Sequence, residues 1–201
     1  MIRRDHPKTI VPVGDDGFVY QSFSANTAIV QDMSIEGVHF RRNWSSPEDI
    51  GWKCLAVNLS DLASLGAKPN FAQVSLAVPK NTKDEDILGF YRGMLKLADQ
   101  WKMEIVGGDL CSSPGPWIVD VSCIGEVSHP LGRSRAESGD EVYVTGSLGL
   151  SSLGLSLLQK SDEKIISIEN TSNDKKTDSL SFDKIESDNF QKSKAVTKHR
   201  R

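Results

Sequence analysis

Apolar positions at helical spacing predict two amphipathic helices in the first half of the chain. In SSPEDIGWKCLAVNLSDLASLGAKP, Ser46 is a candidate N-cap and Gly66 suits the residue just past the helix end, which predicts a helix over 47–65. In NTKDEDILGFYRGMLKLADQWKM, apolar residues recur every three or four positions. Thr82 and Glu85 are spaced as a capping box, so a second helix is expected to begin there.

Segments rich in β-branched and aromatic residues predict the strands. These segments are TAIVQD, FAQVSLAVP, EIVGGD, WIVDVSCIGEV and DEVYVTG, and several of them end in turn-forming residues. The resulting element order is β-β-α-β-α-β-β-β. This order predicts an α/β fold with a mixed β-sheet and two helices packed on one face, in a domain covering residues 1–160.

The composition changes after this predicted domain. Residues 161–193 read SDEKIISIENTSNDKKTDSLSFDKIESDNFQKS, which is rich in Ser, Asp, Lys and Asn and has no Gly or Pro. Such a segment has few apolar side chains to bury. We therefore expect residues 161–201 to be a disordered polar linker or tail.

Charge and cysteine content narrow the classes of function. The 201 residues carry a formal net charge of -3, so the basic excess typical of proteins that bind nucleic acid or anionic membranes is missing. The three cysteines have no CxxC spacing, which argues against a disulfide framework and a structural zinc site. No apolar run is long enough to span a bilayer, and the first residues lack the apolar core of a signal peptide. We expect a cytoplasmic protein without nucleic-acid or membrane partners.

Several carboxylates lie at turns or in apolar surroundings. Asp15 and Asp16 share the turn VGDDG, Asp32 ends an apolar strand, Asp61 lies in an apolar helix and Asp109 follows IVGG. Each alone is explained equally well as a turn residue, a cap or half of a salt bridge. Together they form a set of hard oxygen ligands, the type that binds magnesium carrying a nucleotide's phosphates.

Three further features add to this set or limit it. Asn58 lies one turn before Asp61 on the same helix face, which we expect to be turned toward the interior or a cleft. The chain has no Walker A or GxGxxG sequence, so a P-loop or Rossmann nucleotide site is not expected. His39 is a lone histidine, and such residues are more often packed or at the surface than in a site.

The order and spacing of these motifs resemble a known family. The segments VGDDG, QDMSIEGVHFRRNW, AVNLSDLASLGAKP, GFYRGMLKLAD, IVGGDL and GRSRAESGDEVYVTGSLG resemble the amino-terminal domain of thiamine-monophosphate kinase, over about residues 11 to 158. This family belongs to the aminoimidazole ribonucleotide synthetase-like superfamily. The resemblance implies an ATP-dependent phosphotransferase that converts thiamine monophosphate to thiamine diphosphate with several Mg²⁺ ions. It also implies a homodimer formed through this domain.

The resemblance implies a role for each matching position. Those implied to bind magnesium are Asp15, Asp16, Asp32, Asp61 and Asp109. Those implied to contact ATP are Tyr91, Gly108, Asp109 and Arg133, while His39 matches the residue that contacts thiamine monophosphate. No catalytic base is nominated, because the acceptor phosphate is already ionised near neutral pH.

The chain also departs from the family pattern. Val30 and Gln31 stand where the family has Thr or Ser, so we expect the Gln31 amide oxygen to be a metal ligand at longer reach. The ISDG and GGEDYE motifs of the family's carboxy-terminal domain are not found in the 201 residues. The chain is therefore interpreted as the amino-terminal half of the enzyme.

Three alternatives stay open at this point. The chain could be the whole product of a truncated gene that binds magnesium nucleotide weakly, or a module used only for dimerisation or regulation. A selenide water dikinase is disfavoured, because no cysteine precedes Cys54.

Overall fold

A computed structural model describes residues 6–11, 19–132, 134 and 136–173 of the chain. It divides the chain into two compact units, Met1–Asp140 and Glu141–Arg201. The elements in chain order are β1 (Thr9–Val11), β2 (Val19–Tyr20), β3 (Asn26–Ile35), α1 (Pro47–Ser64), β4 (Lys68–Pro79), α2 (Asp84–Trp101), β5 (Glu104–Ser113), β6 (Ile118–Val127) and α3 (Leu150–Asn173).

A four-stranded sheet is the centre of the first unit. Its strand order is β3-β6-β4-β5, in which β4 and β5 are parallel and the other neighbours are antiparallel. The predicted mixed α/β sheet is therefore confirmed. Strands β1 and β2 form a separate two-stranded antiparallel sheet.

The two faces of the four-stranded sheet differ in burial. Strand β6 alternates strictly between half-buried and buried residues, and its buried positions join the core beneath α1 and α2. We call this side the covered face and the other side the open face. On the open face Ile29 is 68% exposed and Met33 is 54% exposed, although an aromatic cluster around Phe23 and Phe71 covers one end.

Helix α1 has the termini predicted from its sequence. The Ser46 hydroxyl accepts a hydrogen bond from the Asp49 backbone N–H at 3.2 Å, which satisfies one of the free donors of the first turn. At the other end Gly66 has a φ of +71°, the left-handed conformation that often ends a helix.

Two predictions of secondary structure are wrong in detail. Helix α2 begins at Asp84 after an N-cap at Lys83 without a side-chain cap, and the Thr82 hydroxyl is buried with no partner, so the capping box does not form. The predicted strand DEVYVTG is irregular, and Val142 is 94% exposed because no neighbouring strand pairs with it.

The predicted polar tail also differs from the structure. Helix α3 runs from Leu150 to Asn173, so the backbone of 161–173 is helical where we expected disorder. The first compact unit ends at Asp140, and the domain boundary at 160 stays a prediction. The rest of the predicted tail, 174–201, lies outside the described residues.

Among the helices that the structure describes, none combines the length and apolar character needed to cross a membrane.

Candidate active site

The glycine-rich end of β5 is the first part of the candidate site. Residues Gly108 and Asp109 are exposed on this edge strand, which pairs only with β4. A side chain at Gly108 would overlap the backbone carbonyl of Val74, and its φ is +146°. Glycine is therefore required here by the packing of β5 on β4, whether or not a ligand approaches.

Tyr91 on α2 lies beside this strand. Burial raises the pKa of the Tyr91 hydroxyl, and the negative charge of Asp109 raises it further. The phenol therefore stays protonated at neutral pH and can donate a hydrogen bond. The structure thus brings together Tyr91, Gly108 and Asp109, which the sequence assigned to ATP.

Asp32 lies at the opposite edge of the sheet. Its register partner is Val121, which pairs with Val74 and through it with Gly108. Asp32 and Gly108 thus stand in one row across four strands, separated by three strand spacings or about 14 Å. Asp32 and Asp109 do not converge on one ion within this chain.

Gln31 and Asp32 project to opposite faces of β3. Burial of Ala28 and Ser34 shows that the even-numbered residues of this strand face the helices, so Gln31 shares the open face with Ile29. The Gln31 side-chain amide donates a hydrogen bond to Asp120 Oδ2 at 2.6 Å. The side chains of Gln31 and Asp32 therefore lie on opposite faces of β3.

Asn58 and Asp61 on α1 also separate in their surroundings. Asn58 is fully buried and donates from its side chain to the Cys54 carbonyl at 3.1 Å, while its own side-chain oxygen is buried without a partner. Asp61 is exposed. Of the predicted face turned toward the interior or a cleft, Asn58 is therefore in the interior, whereas Asp61 is not.

His39 is exposed in the loop that follows β3. Its Nδ1 accepts a hydrogen bond from the Ile35 N–H at 3.0 Å, and the Lys53 ammonium donates to its carbonyl at 2.6 Å. The imidazole is thus held by the Ile35 backbone and the His39 backbone by α1, while Nε2 is the ring nitrogen available to a ligand.

Glu36 connects the same loop to Trp117, the residue just before β6. Its carboxylate accepts from Arg42 Nε at 2.7 Å and from the Trp117 N–H at 3.1 Å. The Arg42 guanidinium also lies 5.3 Å from the centre of the buried Trp117 ring, a cation–π distance.

Three predicted site residues, Asp15, Asp16 and Arg133, lie outside the described residues. Within the described part of the chain, no three His, Cys, Asp or Glu side chains are grouped so that they could hold a metal ion. Each predicted carboxylate has the right chemistry for magnesium, but the described ones do not together form a site.

Three residues of these surroundings were missed in the sequence. Lys53 and Glu36 contact the His39 loop, and Asp120 bonds to Gln31. A signal existed for two of them, since Lys53 interrupts an apolar helix face and Asp120 interrupts the alternating strand WIVDVSC.

Comparison with known proteins agrees with this architecture. A family model described as "AIR synthase related protein, N-terminal domain" matches residues 14–127. The thiamine-monophosphate kinase of Bacillus subtilis is 44% identical over 156 residues, which are 76% of this chain and 48% of that protein. The chain therefore spans about half the length of the curated relatives that it matches.

Solved structures give the same result. The crystal structure of thiamine-monophosphate kinase from Stenotrophomonas maltophilia superposes with a TM-score of 0.72 at 35% identity, covering 78% of this chain and 49% of that one. The structure of AaThiL complexed with AMPPCP and TMP superposes with a TM-score of 0.71 at 30% identity, covering 94% of this chain and 53% of that one.

The mixed four-stranded sheet with two helices on one face defines an α/β domain, and this domain superposes on the solved thiamine-monophosphate kinases. The chain belongs to the AIR synthase related family through its N-terminal domain. Its resemblance to the amino-terminal half of thiamine-monophosphate kinases, deduced from the motifs, is confirmed.

Proposed function

We propose that this chain acts in the ATP-dependent phosphorylation of thiamine monophosphate to thiamine diphosphate, as the nucleotide-binding half of a thiamine-monophosphate kinase. The observation that supports the proposal is that the charge of Asp109, at the glycine-rich end of β5, acts on the hydroxyl of Tyr91, which lies on the helix that contacts this strand. The relative whose structure is described as complexed with AMPPCP and TMP supports both substrates.

The ATP side of the site is proposed to be Tyr91, Gly108, Asp109 and Arg133. The protonated Tyr91 hydroxyl would donate to a nucleotide oxygen, and the exposed backbone beside Gly108 would let a phosphate approach. Arg133, which lies outside the described residues, would contribute positive charge. Phosphoryl transfer needs mainly alignment of the acceptor oxygen with the γ-phosphorus and neutralisation of charge, so these binding groups suffice without a base.

Magnesium is proposed as the cofactor, held by Asp109 together with Asp15, Asp16, Asp32 and Asp61. When bound it would neutralise the charge of the phosphates. The described carboxylates lie too far apart to share one ion, so several ions or ligands from outside the described residues are needed. Gln31 fits less well than its neighbours, because its side chain bonds to Asp120 on the open face.

His39 is proposed to contact thiamine monophosphate. The hydrogen bond from the Ile35 N–H keeps the lone pair of Nδ1 occupied, so the ring offers the hydrogen on Nε2 to an acceptor. The exposed position of the ring leaves it accessible to a substrate.

A homodimer in the cytoplasm is the proposed state of the protein. The exposed Ile29 and Met33 on the open face would be buried by the same face of a second copy, as in an isologous interface. Sedimentation that shows only monomer at micromolar concentration would contradict this part of the proposal.

A second candidate is a binding module without turnover. It is favoured by the observation that the described carboxylates Asp32 and Asp109 lie at opposite edges of the sheet and do not form one metal site. Such a module would bind magnesium nucleotide, or pair with a second copy, without forming thiamine diphosphate.

A coupled assay distinguishes the two functions. Purified 201-residue chain would be incubated with ATP, Mg²⁺ and thiamine monophosphate, and thiamine diphosphate would be measured. The test variant is Asp109→Asn, which removes the charge and preserves the shape of the side chain. The control is Asp99→Asn at an exposed position on α2.

Turnover that falls at least tenfold in Asp109→Asn and is unchanged in Asp99→Asn would confirm the kinase. Magnesium-dependent nucleotide binding with no turnover, lost in Asp109→Asn alone, would favour the module. Neither turnover nor nucleotide binding by the wild-type chain would contradict both functions.

A further inference from the structure

The loop after β3 fixes the orientation of the His39 ring. The His39 N–H donates to the Ile35 carbonyl at 2.8 Å, and the Ile35 N–H donates to His39 Nδ1 at 3.0 Å. A ring nitrogen can accept a hydrogen bond from a backbone N–H only if it carries no proton itself. The neutral ring therefore has its proton on Nε2, which points away from the backbone.

Lys53 holds the other side of this residue. Its ammonium group donates to the His39 carbonyl at 2.6 Å, a short and charge-assisted hydrogen bond. Lys53 is half-buried on α1, and its neighbours Cys54 and Leu55 belong to the core. Its hydrogen bond therefore connects the exposed His39 to a helix that is packed against the core.

The backbone of the loop on both sides of His39 has little freedom. The Gly37 N–H donates to the Phe40 carbonyl at 2.8 Å, with Gly37 at a φ of +87°, and Phe40 is buried in the core. The backbone on both sides of His39 is thereby closed into a tight turn. The Lys53 contact joins this turn to a second element of the fold.

We propose that Lys53 is a positioning residue for His39: it holds the His39 backbone in place, so that the Ile35 N–H keeps the ring in the Nε2–H tautomer and the ring donates one hydrogen bond to an acceptor atom of the substrate. The inference rests on the proposed role of His39 toward thiamine monophosphate. It adds a residue on α1 that need not touch the substrate itself.

The first test measures the tautomer directly. Two-bond ¹H–¹⁵N spectra of the chain labelled in histidine would report which ring nitrogen is protonated, with His39 assigned by its loss in His39→Gln. We expect a single Nε2–H tautomer in the wild type. A wild-type ring protonated on Nδ1, or an equal mixture, would overturn the inference without any need for a variant.

Lys53 variants then test the positioning role. Lys53→Met retains the apolar stem and removes the donor, so we expect a mixture of tautomers and about tenfold weaker binding of thiamine monophosphate. Affinity for a non-hydrolysable ATP analogue should change less than twofold. Lys53→Arg restores a cationic donor and should recover most of the affinity.

The matched control is Lys96→Met, another helix lysine, which lies 3.4 Å from Glu48 at the surface. It should leave both the tautomer and the affinity unchanged. A Lys53→Met chain with one Nε2–H tautomer and wild-type affinity would overturn the inference. Should Lys53→Met fail to fold by circular dichroism, Lys53→Leu removes the donor with a shorter apolar side chain and gives the same comparison.

The two proposals fail separately. If the wild-type chain does not bind thiamine monophosphate, the proposed substrate is contradicted. The tautomer spectra of the wild type and of the Lys53 variants still confirm or overturn the control of His39 by Lys53.

Discussion

The covered and open faces of the same sheet follow different rules. On the covered face, Val119, Val121 and Cys123 alternate along β6 and are each at most 1% exposed. On the open face of the adjacent strand, Ile29 and Met33 are more than half exposed. Hydrophobic side chains thus contribute to folding on one face and remain available on the other.

The polar groups show the same division. The open face carries Gln31 bonded to Asp120, and the buried Oδ1 of Asp120 has no partner in the described chain. The covered face has few buried polar groups, among them Ser34 of β3 and Asn58 of α1, which is fully buried. We conclude that packing determines the side chains of the covered face, while the side chains of the open face are available to contact a ligand or partner.

The largest expected effect is at the helix contact above the covered face. A side chain at Gly93 would overlap the carbonyl oxygen of Glu48, and one at Gly51 would overlap that of Phe90. Gly93→Ala must push α1 and α2 apart and should lower the free energy of unfolding by about 3 kcal/mol. Urea denaturation followed by circular dichroism measures this.

Gly115→Ala is the control for this variant, because nothing lies within 4 Å of the added methyl group. It should change stability by no more than about 0.5 kcal/mol. Equal stabilities for the two alanine variants would show that the helices can separate freely, and the description of the covered face as rigid would be wrong.

The next effect is on thiol reactivity. Burial raises the pKa of Cys123 from its ordinary value of 9.0 to about 12, and burial likewise raises that of Cys54 to about 11. Only the thiolate reacts with disulfide reagents, so at pH 8 the exposed Cys111 should be labelled at least about a hundredfold faster than either. Mass spectrometry after timed labelling measures the rates.

The raised pKa values also fix the direction of a pH effect on stability. Between pH 9 and about 12 the unfolded thiols ionise while the folded ones stay protonated, so their contribution to folding is complete below pH 9 and is lost as the pH rises. Labelling of all three cysteines at similar rates in native buffer would contradict the burial of the covered face.

Local chemistry explains how much of the fold could be predicted. Helix α1 was placed within one residue, because its cap at Ser46 and its end at Gly66 act through nearby backbone groups. DEVYVTG failed because β-branched residues form a strand only with a partner, and partners are set by distant parts of the chain. Thr82 failed as a cap because its hydroxyl is buried instead.

The candidate site could be predicted only as a set of residues. The glycine and carboxylate motif on β5 was predicted from the sequence. Its proximity to Tyr91 results from the packing of α2. Which of Gln31 and Asp32 faces the helices depends on the register of β3 with β6, which no local pattern determines.

A smaller effect is expected in the loop that follows β3. Glu36→Ala removes the acceptor of the buried Trp117 N–H and of Arg42, whose Nε lies 2.7 Å away, so it should cost about 2 kcal/mol. Glu85 pairs with Arg92 at the same distance, but its side chain is 72% exposed against 20% for Glu36. Glu85→Ala should cost less than about 0.5 kcal/mol, and thermal unfolding compares the two. Similar losses would mean that burial adds nothing to the Glu36 contacts.

The smallest effect tests the open face on neighbouring residues of one strand. Ile29→Thr and Val30→Thr both retain a β-branched side chain, but Val30 packs against the core while Ile29 is 68% exposed. In dilute monomer Ile29→Thr should change the free energy of unfolding by less than about 0.5 kcal/mol, whereas Val30→Thr buries a hydroxyl and should cost about 1 kcal/mol or more.

Denaturation measured at two protein concentrations separates folding from association. A loss in Ile29→Thr that appears only at the higher concentration would indicate that a second copy covers the open face, because only association depends on concentration. A loss of the same size at both concentrations would show that this face is already buried within the single chain, and the distinction between the two faces would fail.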